Sequence, residues 1–427
     1  MLAQNTSAVT RPAPQTGRVT RAQLALALAL LANAAGQSLL FVMLPGLGRQ
    51  LGFSDLQTGA LLSASALLLI LAAPFWGFVS EKTGRRPVLL IALTGITLAP
   101  LLFAAIVQGR MAGTLGILAA LTLFFLARSA QALVSGGLMP VAQAYMADTT
   151  GVAGRAGGMG LLGASYGLGA IVGAAMAWRV GGSQPVLAFM LAAVLAMIGF
   201  IALAALVPEP KRRGEAVQLT HAPHPPAHLP LAMLWPFLLI TLFAITAYGL
   251  LQQVTALRLQ DAWGQSAPQA TATAGAVMMV TSVVMILSQG IVLRLLRWPA
   301  TRLLLVGALL ATAALLVATL ARNPQQLFGA MAVFGGAVGL MLPGNLAALS
   351  LRTGVDTQGK AAGLNAMGQG LGMSLGPISG AGLHQFSPAL PFAMAGLLLA
   401  LCTVLALLAT RRSALAPLRP SQSEAPS

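Results

Sequence analysis

Twelve stretches of predominantly apolar residues, each about 20 residues long or longer, follow one another between residues 22 and 410 with only short polar breaks. In hydrocarbon every backbone N–H and C=O must find a partner within the protein, which leaves helices or a closed barrel. Stretches of this length read as helices, so the expected fold is an all-α membrane protein with twelve transmembrane helices. Charged residues make up 7% of the chain and apolar ones 57%, whereas about a quarter of a soluble domain is charged.

A formal net charge of +16 would suggest nucleic acid in a soluble protein, but its placement argues otherwise. With the N-terminus cytoplasmic, eighteen basic residues fall in inner segments, among them Arg18, Arg21, Lys82, Arg85, Arg86, Arg155, Lys211, Arg212, Arg213, Arg294, Arg297, Arg302, Arg352 and Lys360. Outer loops keep five, Arg49, Arg110, Arg179, Arg258 and Arg322, and Arg128 is left within a span. This asymmetry predicts both termini in the cytoplasm and the bacterial inner membrane as the location. The apolar run from Leu24 with Ala32-Asn33-Ala34 could be read as a cleaved signal peptide. It continues through Leu44, however, and losing that span would invert the loop charges. The single cysteine, Cys402, lies in the last span and reads as a packed apolar residue.

Residues 208–230 form the longest interior polar stretch, with six prolines and His221, His224 and His228. Proline at 223, 225 and 226 forbids the helix that could turn these histidines toward a metal, so the segment reads as a linker. The predicted organisation is a cytoplasmic tail 1–21, a six-helix bundle 22–207, a linker 208–230, a second bundle 231–411 and a tail 412–427. Sliding the chain by 203 positions gives twelve identities in thirty-eight without a gap, among them Gly136/Gly339, Pro140/Pro343, Thr150-Gly151-Val152/Thr353-Gly354-Val355 and Gly173/Gly376. Spans four and five are therefore expected to be equivalent to ten and eleven.

Polar side chains inside the spans concentrate in one, four, seven, eight, ten and eleven, while three, six, nine and twelve hold few. Polar groups in hydrocarbon face protein or a water-filled cavity, so the first set is expected to surround an axial cavity and the second to face lipid.

Between spans two and three the chain reads Gly77-Phe-Val-Ser-Glu81-Lys-Thr-Gly84-Arg85-Arg86-Pro87. This resembles the loop signature of the major facilitator superfamily, with Glu81 in place of the usual aspartate. The resemblance implies two pseudo-symmetric six-helix bundles, alternating access and a gating role for Gly77, Glu81, Gly84, Arg85, Arg86 and Asp148, the last as the carboxylate that meets the loop cations. Gly169 and Gly173 in span five, and Gly372, Gly376, Pro377 and Gly380 in span eleven, resemble the glycine-rich stretch of the drug-exporting branch. Small residues every fourth position let helices approach closely.

Arg128 is the one charge placed deep in a span, with Gln131 and Ser135 on the same helical face. A mid-membrane arginine is a functional candidate by default, although it could equally lock neighbouring helices. The eight acidic residues all lie at span ends or in loops, so an anionic group on a substrate is the expected counter-ion. Asn33, Gln37, Tyr166, Tyr248, Gln252, Asn345 and Gln369 are further candidates to line the cavity, Asn345 because it follows an expected helix break at Pro343-Gly344. The function expected is secondary export of a small amphiphilic, anionic compound, drug-like or a siderophore. Import of a metabolite or siderophore is the alternative. Proton antiport is implied by the resemblance, carried by Asp55, Glu81, Asp148, His384 or the substrate, since no carboxylate lies within a span. No cofactor, metal, nucleic acid or enzymatic chemistry is expected, a membrane-embedded transferase being the reading of another class. The partners expected are the substrate, protons and lipid, with the protein a monomer.

Overall fold

The computed structural model describes residues 19–150, 152–210, 231–353 and 357–415. The readings placed on Lys211, Arg212, Arg213 and the three linker histidines lie outside these residues, as do those on most of the two tails and the 354–356 part of the repeated loop. Twelve helical rods run in order: α1 Arg21–Leu51, α2 Asp55–Thr83 and α3 Arg85–Met111, then α4 Ile117–Thr149. Next come α5 Val152–Met176, prolonged by a π turn Ala177–Gly181, and α6 Pro185–Leu206. The second half comprises α7 Leu231–Trp263, α8 Ala267–Leu296, α9 Ala300–Thr319, α10 Pro324–Ser350, α11 Gln358–His384 and α12 Leu390–Leu415. Capping boxes start three of them, Thr20 with Gln23, Ser54 with Gln57 and Ser266 with Gln269.

Eleven of the rods are long and apolar enough to cross a membrane. The twelfth, α11, departs from the expectation of twelve apolar stretches: it spans 27 residues but is rich in glycine and polar side chains. Its position explains this, because it lies packed against α2 and α7. The expected lipid-facing helices do leave apolar faces uncovered, for instance Leu98 and Leu102 on α3, Val194 and Ile201 on α6, Leu316 on α9 and Val404 on α12.

The two halves place their glycines alike. A Cβ on Gly169 would overlap the Leu31 carbonyl and one on Gly173 the Ala35 carbonyl, so α5 meets α1 backbone to backbone. In the second half a Cβ on Gly372 would lie 2.9 Å from the Leu242 carbonyl and one on Gly376 2.8 Å from that of Thr246. Each pair of carbonyls is one turn apart, and Gly380 continues the contact with Leu250 and Val254. The repeat expected for spans five and eleven thus extends to their partners α1 and α7.

The halves differ at the helix break. In α4 the regular helix ends at Ser135 and resumes at Leu138. The freed Leu133 carbonyl accepts the Trp76 indole N–H at 2.6 Å, and Gly137 leaves room for the Trp76 side chain. The break expected at Pro343-Gly344 is absent, for α10 is continuous through Pro343. Gly344 instead admits the backbone of α9, whose Leu304 nitrogen lies 2.6 Å from where a Cβ would stand.

The halves α1–α6 and α7–α12 are bonded to each other toward the loops that do not carry the chain termini. There Ser63 accepts from Ile378 N and its carbonyl from Ser374 Oγ, both at 3.0 Å, and Gln253 donates to Thr58 at 3.1 Å. Gly59 brings α2 onto Pro377 and Ala381. At the opposite end the described bonds stay within one half, as in Arg85 with Asp148 and Gln358 with Ser350.

Adding a side chain where backbones meet forces them apart, at typically 1–3 kcal/mol and more when the obstacle is main chain. Gly173→Val is therefore expected to lower the thermal midpoint of the purified protein by several degrees. Gly163→Ala, four turns of the same helix away from any obstacle within 4 Å, should leave it unchanged or slightly raised. Equal midpoints for the two variants would refute this account of the α1–α5 contact.

Candidate functional site

Arg128 sits on α4 and is 5% exposed. Its Nε donates to Ser65 Oγ on α2 at 3.1 Å and its Nη1 to Gln131 Oε1, one turn further on, at 2.7 Å. The Ser65 hydroxyl passes its own proton to the Leu62 carbonyl at 2.8 Å. All these partners are neutral, and among the described residues Nη2 has none. The described carboxylates are engaged elsewhere or stand at helix ends: Asp148 with Arg85, Asp55 and Asp261 with Arg49, Glu209 on the α2–α3 turn. A buried charge with only dipoles around it is costly, and such a guanidinium is suited to receive a carboxylate or phosphate.

The remaining predicted residues fall into separate groups. On α1 and α5, Tyr166 donates to Gln37 Oε1 at 3.4 Å, and Gln37 Nε2 to Asn33 Oδ1 at 3.3 Å. Tyr166 lies within electrostatic reach of both Arg128 and Tyr248. On α7, Tyr248 engages Gln252 and Ser282 of α8, and Gln252 Oε1 is buried with no partner. The glycine contacts align Leu31 with Leu242 and Gly169 with Gly372. By that alignment Gln37 corresponds to Tyr248 and Tyr166 to Gln369, so amide and phenol exchange helices between the halves. Gln369 is exposed on α11.

Asn345 belongs to a different set. Its Nδ2 donates to the Phe237 carbonyl and to Thr241 Oγ1, both at 2.9 Å, and Thr241 donates to Asn365 at 2.6 Å. These bonds tie α10 and α11 to α7 inside the second half, and Asn345 is 1% exposed.

At the α2–α3 turn, Gly84 has φ +105°, a conformation that favours glycine. The Glu209 carboxylate lies against it and accepts from Arg85 N at 2.7 Å and Arg86 N at 2.8 Å, capping the positive end of α3. Arg85 reaches Asp148 at 3.2 Å and Ser80 at 2.7 Å, while Arg86 donates to the Ala204 carbonyl at 2.7 Å. Glu81 is exposed in the last turn of α2. A Cβ on Gly77 would meet nothing within 4 Å, so the close packing expected of this glycine is not made in this arrangement.

Sequence reasoning missed four features. Ser65 carries no signal beyond a hydroxyl in an apolar span, and Ser282 none either. Glu209 appeared to be a linker residue. Arg49 and Arg258 appeared to be outer-loop cations, yet both lie within helices. Arg258 is 2% exposed and donates to the Ala318, Thr319 and Ala321 carbonyls at 2.7, 3.0 and 3.3 Å, capping the end of α9 beneath the Phe392 ring.

Comparison with known proteins bears on the whole chain. The Major Facilitator Superfamily profile matches residues 26–321 and 296–426. The class B tetracycline resistance protein of Escherichia coli is 35% identical over 182 residues, 42% of this chain and 42% of that relative's length. Multidrug resistance protein 1 of Bacillus subtilis (strain 168) is 24% identical over 370 residues, 86% of this chain and 90% of that one. Among solved structures, a bacterial homologue of the human lysosomal transporter Spinster, inward-facing and unoccupied, superposes with a TM-score of 0.71 at 16% identity, covering 94% of this chain and 98% of that one. That likeness is one of fold. With its helical rods, its paired halves and a profile match that runs through both of them, the chain belongs to the major facilitator superfamily of membrane transporters.

Proposed function

We propose that this chain is a secondary transporter that exports a small amphiphilic, anionic compound, drug-like or a siderophore, from the cytoplasm by alternating access. The observation that carries the anionic part is Arg128, buried at 5% exposure with the Ser65 hydroxyl and the Gln131 amide as its partners. Two phenols and several amides on α1, α5 and α7 supply the amphiphilic surroundings. Export is supported by the relatives, which are named for resistance to tetracycline and to multiple drugs. The charge asymmetry of the loops supports cytoplasmic termini.

Alternating access is supported by the contacts between halves, made toward one end only. Helix α2 has a glycine near each end: Gly59 is pressed onto α11, and Gly77 has open space. Rocking one half against the other would release the first contact and allow the second to form. Proton antiport is the coupling expected of such an exporter.

Arg128→Ala is expected to fold and to weaken the apparent affinity for an anionic substrate about tenfold or more, the scale of a lost charge-assisted pair. Arg128→Lys should retain part of it, and a neutral analogue should be affected little. Unchanged affinity in the alanine variant would exclude the counter-ion role. In proteoliposomes, uptake by inside-out vesicles should follow an imposed pH gradient. Flux indifferent to that gradient would remove antiport, and accumulation only in right-side-out vesicles would reverse the direction.

A further inference from the structure

The end at which the halves meet carries four charged or titratable side chains in one connected set. Arg49 on α1 forks onto Asp55 of α2, Nε to Oδ1 at 2.8 Å and Nη2 to Oδ2 at 2.7 Å. It also forks onto Asp261 of α7, Nη1 to Oδ1 at 2.6 Å and Nη2 to Oδ2 at 2.7 Å. The Asp261 carboxylate is shared with His384, the last residue of α11, whose Nε2 lies 2.8 Å from Oδ2. The imidazole side chain is 2% exposed, and its Nδ1 is buried with no partner. No other described ionic group is bonded to the imidazole. Arg258, one turn before Asp261, is turned to the end of α9, Arg110 of α3 donates to the Leu51 carbonyl, and Arg322 lies in the loop before α10. The span of α12 from 390 to 409 and the first turns of α8 have no charged residue.

We propose that the His384–Asp261 pair is a proton-binding site, and that a proton taken up there opens the face at which the two halves meet. This rests on the alternating-access reading. In the arrangement described, an imidazolium at His384 would stand one carboxylate away from the Arg49 guanidinium, and its second N–H, at Nδ1, would be buried without an acceptor. Both effects disfavour the proton while the face is closed. When the halves part, the boundary runs between Arg49 and Asp261. Arg49 leaves with Asp55 as a neutral pair, Asp261 keeps His384 as its partner, and water reaches Nδ1. Both changes favour the imidazolium. A ligand that binds one of two states better shifts the population toward it, and here the ligand is the proton and the favoured state the open one. The closed face is therefore stable at higher pH and is lost as the pH on that side falls. The proposal adds to the exporter reading a site at which the outer solution is sensed, 2.8 Å from the charge pair that holds the halves together.

The test is a distance measurement across that face in the full-length protein held in lipid nanodiscs. Cys402→Ala removes the native thiol, and spin labels on Ala112→Cys, after α3, and Gln325→Cys, in the first turn of α10, report from exposed sites on opposite halves. Between about pH 8 and pH 5, where an imidazole changes charge, the ratio of long to short distances is expected to rise about tenfold, which corresponds to one pKa unit between the two states. His384→Gln, which can still donate to Asp261 but cannot titrate, should reduce that change to less than about twofold. Asp261→Asn should do the same, which covers the case of a glutamine variant that fails to fold. Arg49→Ala should lengthen the distance at both pH values. A wild-type ratio that does not move with pH, or an undiminished response in the folded variants, overturns the proposal. If Arg49→Ala opens the face while pH has no effect, the proton site alone falls. If neither Arg49→Ala nor pH ever changes the distance in protein that still transports, alternating access at this face falls with it.

Discussion

Where α5 crosses α1 and α11 crosses α7, main chain rests on main chain, and the rest of the molecule is arranged around these two contacts. A membrane offers no hydrophobic gain for bringing two apolar helices together, so association depends on how closely backbones can approach. Gly169 and Gly173 supply that approach in one half and Gly372 and Gly376 in the other. Once α1 and α5 are locked, Asn33, Gln37 and Tyr166 face one another without further instruction. The equivalent lock in the second half turns Tyr248 of α7 toward Gln252 and Ser282. Polar groups that would be expensive singly in hydrocarbon thus become a lining held by small residues.

Charge is managed differently in the middle of the molecule and at its ends. At the ends, each cation described has an acid or a row of carbonyls: Arg85 has Asp148, Arg49 has Asp55 and Asp261, Arg258 has the last turn of α9. In the middle Arg128 has a hydroxyl and an amide. Removing one member of a buried pair is strongly destabilising because a bare charge remains. A bare charge that is nonetheless retained, among partners too weak to neutralise it, is the electrostatic form of an unoccupied anion site.

The spans and the two-fold repeat were legible because hydrocarbon imposes a length and a composition that few other environments do. The register through spans four, five, ten and eleven was legible for the same reason that it matters: glycine at a backbone contact tolerates no substitute. The exceptions have identifiable causes. Helix α11 falls below the apolar composition of the other rods because it is enclosed by protein on α2 and α7 rather than by lipid. The break appears in α4, not in α10, although α10 holds Pro343 beside Gly344. Consecutive Gly136 and Gly137 let Trp76 replace a backbone bond, whereas in α10 the same stretch is pressed against α9. Glu209, Asp261 and Arg258 were read as loop charges because hydropathy ends where they begin, and only folding shows which carbonyls and amides they reach. Among the candidate site residues, Arg128 with Gln131 and Gln37 with Tyr166 meet as side-chain pairs, while Asn345 is absorbed into packing.

An anion travelling from Arg128 toward the end where the halves meet would pass two further cations, yet neither would detain it. The Arg49 guanidinium already divides its donors between two carboxylates, and that of Arg258 is spread over three carbonyls at the negative end of a helix. Their fields are largely cancelled at short range. The potential along such a path then has a single well, at Arg128, followed by a slope with no second trap, which is what separates a carrier that lets its cargo go from a protein that merely binds it.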